Sequence, residues 1–283
     1  MRVFISSPDF FFFDPIAMKI AIIYYSTYGH IVTMAKAVKE GVEKSGKASK
    51  VDIFQVPETL PQEVLEKLKA PAKADYPIAT LDTLSEYDAF VFGYPTRFGN
   101  LPAQMTEFLG STGGLWANGT LYGKPVAIFT SVSSPGGGQE ATLRNFIPYI
   151  AHHGMIYIPL GYAKAFAQIT NLDEVHGGTP YGAVTFAGDG SRQPTALEKE
   201  IATLQGEAFA DNAIRFVSSV GSTETATKTE KAEEPKKAKE SKETEAETKA
   251  EKPASDAAKR SQQTAPSSDK KEESGCGVKC VIV

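Results

Sequence analysis

The chain has 283 residues and a formal net charge of −4, and its only two cysteines, Cys276 and Cys280, lie close to its end. The mild charge and the lack of a basic stripe interleaved with aromatic residues give no indication of nucleic-acid binding. The absence of cysteine elsewhere excludes a disulfide scaffold and favours a reducing compartment. No run approaches the roughly 18 apolar residues of a membrane-spanning helix, and two cysteines without histidine cannot complete a metal site.

Strands and helices alternate along residues 18–221. Continuous apolar runs, which are typical of parallel strands buried on both faces, predict five strands. They cover residues 20–25, 51–56, 89–93, 126–132 and 155–159. Helical spacing and helix-start signals predict helices over 31–45, 60–68, 103–110 and 139–153 and from Pro194 onward, with loops over 71–84 and most of 161–190. This order predicts a three-layer α/β domain with a five-stranded parallel sheet, whose ligands bind at the carboxyl ends of the strands.

The loop after the first strand, within YYSTYGHI, runs from Ser26 to Ile31. Its hydroxyls, its glycine and the N–H groups that open the next helix can form an anion site. The loop contains no lysine, which indicates a monophosphate rather than a nucleoside triphosphate. The alternative is a serine N-cap followed by a simple turn.

Two more loops leave predicted carboxyl ends. Pro95-Thr96-Arg97-Phe98-Gly99-Asn100 offers amides, a guanidinium and a flat aromatic wall to a planar ring, or else forms only a Pro–Asn turn. The loop beginning Ser133-Ser134-Pro135-Gly136 has three glycines that permit close approach of backbone to a ligand, or else is a flexible connector. Three such loops at one sheet edge together favour a binding site.

The segments YYSTYGHI, YPTRFGN, FTSVSSPGGGQEAT, HHGM and YGAVTFAGDGSRQPT, in this order, resemble the WrbA-type NAD(P)H:quinone oxidoreductases. The resemblance covers about residues 19–217 and implies a flavodoxin-like fold, FMN as cofactor, NADH or NADPH as electron donor, and two-electron reduction of quinones that protects against quinone stress. It also implies a homotetramer in which neighbouring subunits contribute walls to the flavin pocket. Fungal members share the tail rich in lysine and glutamate.

The resemblance also implies site residues. The expected FMN contacts are Ser26, Thr27, Tyr28, Gly29, His30 and Ile31 at the phosphate, Pro95, Thr96, Arg97, Phe98, Gly99 and Asn100 at the ring, Ser131, Val132, Ser133, Ser134, Pro135 and Gly136 in the third loop, and His153. Tyr28 is expected near the nicotinamide and Trp116 near the quinone, with His153 as catalytic proton donor or hydrogen-bond partner. Trp116 as a packing anchor, and His153 or His152 as a helix C-terminal histidine, are the alternatives.

The ends of the chain differ from this domain. Residues 1–17 form an N-terminal extension whose apolar stretch is interrupted by Asp9 and Asp14, unlike a signal peptide. Residues 222–274 contain no Val, Ile, Leu, Met, Phe, Tyr or Trp and are predicted to be a disordered linker. A solvated helix is the alternative, against which the prolines of the segment argue.

Residues 275–283 end in Cys280-Val281-Ile282-Val283, which has the form of a C-a-a-X box. Prenylation of Cys280 and palmitoylation of Cys276 would supply the two signals for stable anchoring. We therefore expect a cytoplasmic protein held peripherally on the cytoplasmic face of a membrane. Two functions compete with quinone reduction: a one-electron carrier of the flavodoxin type and a membrane-attached flavoprotein scaffold with a regulatory role.

Overall fold

The computed structural model describes residues 18–227. The predicted N-terminal extension, both cysteines and residues 228–274 of the predicted linker lie outside the described residues. The strands are β1 (Met18–Tyr24), β2 (Ala48–Gln55), β3 (Ala89–Pro95), β4 (Pro125–Val132), β5 (Ile156–Tyr157) and β6 (Val184–Phe186). The helices are α1 (His30–Ser45), α2 (Gln62–Lys67), α3 (Leu81–Glu86), α4 (Ala103–Gly110), α5 (Gly113–Ala117), α6 (Gln139–Arg144), α7 (Ile147–His152), α8 (Phe166–Ile169) and α9 (Ala196–Thr227).

All strand pairs among the described residues are parallel, and the strand order is β2-β1-β3-β4-β5. This order is the flavodoxin-like one, so the predicted fold is confirmed. The fifth position of the sheet is divided between two short strands. β5 pairs with Pro125 and Val126 at the start of β4, and β6 pairs with residues 130–132 at its end. The sequence prediction missed β6, because three residues inside a glycine-rich segment show no clear period.

Both faces of the sheet are covered, which explains why its strands are apolar without interruption. Along β1, Ile20 and Ile22 pack against α1 and α9. The intervening Ala21 and Ile23 belong to the cluster on the other face, together with side chains of α4, α6 and α7. The core therefore has two halves, one on each side of the sheet.

Several helices differ from the prediction. The helix predicted over 139–153 is two helices, because Pro148 has no N–H to donate and is tolerated only in the first turn of a new helix, α7. α3 begins within a predicted loop, where Thr80 and Thr83 form a capping box. α9 continues to Thr227, past the predicted start of the linker at Ser222. Among the described residues, no helix combines the length and apolar character needed to span a bilayer.

Candidate functional site

The three predicted loops meet at one edge of the sheet, because β1, β3 and β4 are parallel neighbours whose carboxyl ends coincide. The first and second loops are joined by Arg97, whose Nη2 donates to Thr27 Oγ1 at 3.1 Å. The same guanidinium donates through Nη1 to the carbonyl of Thr96 at 2.8 Å. Burial lowers the pKa of the Arg97 guanidinium, but arginine remains charged in proteins. A fixed positive charge therefore stands between the two loops.

The second and third loops are joined through the start of α6. Thr96 Oγ1 and Thr142 Oγ1 are hydrogen-bonded at 2.7 Å, and Asn145 Nδ2 donates to the carbonyl of Gly99 at 2.9 Å. Gly138, the N-cap of α6, has a φ of 82°, and an added Cβ there would touch Gly99 Cα. The two loops thus lie within van der Waals reach of each other, and the structure brings all three sequence-predicted segments together.

The first loop is shaped for an anion. The N–H of Gly29 donates to Ser26 Oγ at 3.0 Å, and Gly29 takes the left-handed conformation with a φ of 93°. No acceptor among the described residues takes the N–H of Thr27 or Tyr28, and α1 begins immediately afterwards with the unpaired N–H groups of its first turn. These donors border a cavity lined by Ser26, Thr27, Tyr28, His30, Ile31, Pro95, Arg97, Ser131 and Ala187. A helix start and free amides favour negative charge at this point of the loop, which is the chemistry that the phosphate of a mononucleotide requires.

His30 and Tyr28 present only their backbones to this cavity as polar partners. His30 is buried, and its Nε2 donates to the carbonyl of Arg192 at 2.8 Å. The hydroxyl of Tyr28 donates to the carbonyl of Leu68 at 3.2 Å. The residues predicted at the phosphate therefore divide into N–H donors and side chains that anchor the loop to its surroundings.

Phe98 projects from the second loop and is 94% exposed. Its φ of 53° is uncommon for an aromatic residue, and two backbone hydrogen bonds between Arg97 and Asn100, of 2.8 and 2.9 Å, close the turn that holds it there. Nearby in the third loop, the buried Gln139 Oε1 has no hydrogen-bond partner among the described residues. An apolar ring held in solvent and an unsatisfied buried oxygen fit a surface that a ligand or a second chain covers.

His153 and Trp116 lie at the opposite edge of the sheet. His153 lies three residues before β5, which pairs with Pro125 and Val126 at the start of β4, and the N–H of Gly123 donates to the carbonyl of Gly154 at 2.9 Å. The third loop follows the last residue of β4, and the eight residues of that strand separate the two edges by about 23 Å at roughly 3.3 Å per residue. A single chain therefore does not bring His153 to the loops.

Trp116 and His153 nevertheless belong to one cluster. Trp116 is 59% exposed, and its Nε1 donates to the carbonyl of His152 at 2.9 Å. The ring of His153 contacts that of Tyr149 at a tilt of 51°, with ring centroids 4.6 Å apart, and its Nε2 lies 3.0 Å from Thr112 Oγ1. If Trp116 were only a packing anchor, the hydrogen bond of its indole N–H would be explained, but the exposure of its ring would not.

The hydrogen bonds of Thr112 fix the tautomer of His153. A hydroxyl has one proton to donate, and that of Thr112 goes to the carbonyl of Leu109 at 2.6 Å. Its oxygen then accepts from Tyr149 and from His153 Nε2–H. Burial, with a smaller contribution from His152, lowers the pKa of His153 below 6.5. The imidazole is therefore neutral at neutral pH, with Nδ1 available as a proton acceptor rather than a donor.

Some residues around the loops were not predicted. Lys73 and Glu58 contact the first loop from outside its cavity, and Ala187, after the unpredicted β6, lines the cavity wall. Lys73 and Glu58 lie in segments that the sequence presents only as loop and helix lead-in. Their role depends on which loops meet in space, for which the sequence carries no local signal.

Comparison with known proteins finds a matching family and close relatives of this chain. A family model described as NADPH-dependent FMN reductase matches residues 18–168. "NAD(P)H quinone oxidoreductase YCP4" of Candida albicans is 65% identical over 212 residues, covering 74% of this chain and 73% of that protein. "NAD(P)H quinone oxidoreductase PST3" of the same organism is 60% identical over 68% of this chain and 96% of its own length. "Quinone-oxidoreductase QR2" of Triphysaria versicolor is 50% identical over 67% of this chain and 92% of its own length.

Proposed function

This chain belongs to the NADPH-dependent FMN reductase family, and we propose that it is an FMN-dependent oxidoreductase that reduces quinones by two electrons taken from NADH or NADPH. The observation that carries the proposal is the junction of three loops around unpaired N–H groups and the Arg97 guanidinium. The names of the relatives that are 65% and 60% identical supply the quinone and the nicotinamide donor.

When bound, FMN supplies the hydride chemistry, and the protein binds, orients and tunes the cofactor. The N–H groups of Thr27 and Tyr28 and those of the first turn of α1 would hold its phosphate. Arg97 places positive charge beside the ring site, which favours the negative charge that reduction adds there. Phe98 and the glycines of the third loop form walls that exclude water. The placement of Tyr28 near the nicotinamide stays a prediction, and its hydroxyl is bonded to the carbonyl of Leu68.

We further propose that the active form is a homotetramer. Phe98 is exposed beside the loops of one copy, while Trp116 and His153 lie at the far edge of the sheet. A second copy that sets its Trp116–His153 edge against Phe98 would complete the pocket. His153 Nδ1 would then accept a hydrogen bond from a hydroquinone product, or return a proton once protonated.

An anaerobic stopped-flow experiment tests the function. Protein loaded with FMN is mixed with NADH or NADPH and then with benzoquinone, and protein without FMN is the control. We expect the flavin absorbance to disappear with the nucleotide and to return with the quinone, with one hydroquinone formed per nucleotide oxidised. If neither nucleotide bleaches the flavin, the protein is not this reductase, and a carrier or scaffold takes its place.

Membrane attachment through Cys276 and Cys280 stays a prediction, because both residues lie outside the described residues. We propose that lipid on these cysteines holds the domain at the cytoplasmic face of a membrane, where lipid-soluble quinones reside. Cys280→Ser should move the protein from the membrane fraction to the supernatant, with Ser274→Ala as the control. Unchanged fractionation of Cys280→Ser would rule the anchor out.

A further inference from the structure

Lys73 reaches the phosphate-binding loop from the loop between α2 and α3. Its Nζ donates to the carbonyl of Ser26 at 2.8 Å and pairs with Glu58 Oε2 at 2.6 Å. The same ammonium lies 4.7 Å from the ring centroid of Tyr25. Lys73 does not line the cavity that Thr27 shares with Arg97 and Ser131, but it does line a second cavity beside Ser26, Thr27 and Gly29. Its ammonium is engaged there by the Ser26 carbonyl and the Glu58 carboxylate.

Glu58 is held in place by several donors. Its Oε1 accepts from Gln104 Nε2 at 2.9 Å and from the N–H of Leu60 at 3.1 Å, and the hydroxyl of Tyr25 donates to its Oε2 at 3.0 Å. Burial tends to raise the pKa of Glu58, but the hydrogen bonds from Lys73, Leu60 and Tyr25 outweigh it and lower the pKa. A charged and immobile carboxylate thus fixes the position of the Lys73 ammonium.

Because the peptide unit is planar, fixing the direction of the Ser26 carbonyl also fixes the direction of the N–H of Thr27. In a planar trans peptide the C=O and the next N–H point in opposite directions. Lys73 holds the Ser26 carbonyl from outside, so the N–H of Thr27 must face the other way. That N–H has no acceptor among the described residues.

We propose that Lys73, anchored by Glu58, is a positioning residue that orients the Ser26–Thr27 peptide so that its N–H binds the phosphate of FMN. This inference rests on the proposed function. It assigns to the pair a role in choosing a phosphorylated flavin over riboflavin, since the oriented N–H has a partner only when the phosphate is present.

The test compares dissociation constants for FMN and riboflavin, measured by quenching of flavin fluorescence, in the full chain and in Lys73→Met. The matched control is Lys67→Met, which removes the same charge from an exposed lysine in α2. We expect Lys73→Met to weaken FMN binding about tenfold, which is the loss of one charge-assisted hydrogen bond, and to leave riboflavin binding within twofold. Lys67→Met should bind both flavins as the wild type does.

Two further measurements separate positioning from simple attraction between lysine and phosphate. Attraction over a distance is screened by salt, so we expect the tenfold difference to persist at high ionic strength if Lys73 acts through the peptide. Glu58→Gln removes a negative charge, and attraction alone would tighten FMN binding. Positioning predicts weaker binding, because Lys73 and Tyr25 lose their anchor.

The inference is overturned if Lys73→Met binds FMN as tightly as the wild type, if riboflavin binding falls equally, or if the difference disappears in salt. If Lys73→Met does not fold, tighter FMN binding by Glu58→Gln overturns it and weaker binding with unchanged riboflavin binding supports it. Failure of the wild type itself to bind FMN would instead contradict the proposed function, so the two failures are distinguishable.

Discussion

At the scale of single residues, Glu198 is the most completely satisfied charge among the described residues. The side chain is 0% exposed, and its carboxylate accepts from the N–H groups of Gly177, Phe186 and Thr195, from Thr185 Oγ1 and from Arg192 Nη1. The carbonyl of Arg192 in turn accepts from His30 Nε2 at 2.8 Å. The carboxylate thereby connects β6, the start of α9 and the phosphate-binding loop.

Glu198→Gln should destabilise the fold by about 3 kcal/mol, because it leaves Arg192 without its ion pair and places an amide N–H₂ among donors. Burial tends to raise the pKa of Glu198, but hydrogen bonds from Arg192, Thr185, Thr195 and Phe186 lower it below 4.5. The carboxylate therefore contributes its full stability above pH 4.5 and loses it as the pH falls through the lowered pKa. Urea unfolding at about pH 7 and about pH 3.5 checks this prediction.

The difference between wild type and Glu198→Gln should be large at the higher pH and should shrink at the lower one. Glu200→Gln, in the same helix but exposed, should stay within about 0.5 kcal/mol of the wild type at both. A difference that does not change with pH would mean that the charge of Glu198 is not what stabilises this region.

At this scale, a functional residue could be predicted from the sequence when its partners lie close to it along the chain. Ser26, Thr27 and Gly29 lie next to one another after a strand, and their order alone indicates an anion site. Glu198 and Lys73 act on segments distant in sequence, and no pattern around them shows which carbonyl or N–H they meet. His153 was predicted as a proton donor or hydrogen-bond partner, which stays a prediction, and the sequence did not indicate that Thr112 would take its Nε2–H.

At the scale of elements, α1 and α9 cross so closely that their backbones touch. Gly41 of α1 faces the carbonyl of Thr203, and Gly206 of α9 faces the carbonyl of Val38. An added Cβ at either glycine would overlap these backbone atoms, which cannot move without shifting a helix. The pair holds α1, and with it the phosphate-binding loop, against the sheet.

Gly41→Ala should therefore lower the free energy of unfolding by about 2 kcal/mol, since the cost of overpacking exceeds the gain of about 1 kcal/mol in helix propensity. Gly110→Ala, at the end of α4 where an added Cβ meets only open space, should be neutral or slightly stabilising. Thermal unfolding of the two variants and of the wild type measures this difference in stability. Equal midpoints would show that the helices can separate at no cost.

Elements with a strong period were predicted correctly, and several short ones, among them β6, α3 and α5, were missed. β1, β3, β4 and α1 bury long apolar runs or stripes, so their positions follow from the sequence. β6 has three residues and exists only because β4 offers it an edge. α5 begins Gly113-Gly114, two poor helix formers, and its formation depends on its neighbours.

At the scale of the whole molecule, the sheet separates the two halves of the predicted site. The loops lie at the carboxyl edge, and Trp116 and His153 lie at the amino edge. The length of β4 keeps them apart, and no rotation of a side chain spans that distance. Sequence motifs predict that both groups of residues serve the flavin, but a motif carries no information on whether they meet within one chain or between two.

A complementation experiment distinguishes these cases. Arg97→Gln damages the loops and Trp116→Ala damages the far edge, so each variant alone should retain at most about a tenth of the quinone reductase activity. If each pocket takes its loops from one copy and its Trp116 from another, purified mixed oligomers of the two variants contain some pockets with both residues intact. Activity should then recover to roughly a quarter of the wild type.

Arg97→Gln mixed with the double variant Arg97→Gln/Trp116→Ala has no intact loop and should remain inactive. Equal inactivity of both mixtures would mean that no pocket is shared between copies, and Trp116 would then act through the stability of its own chain.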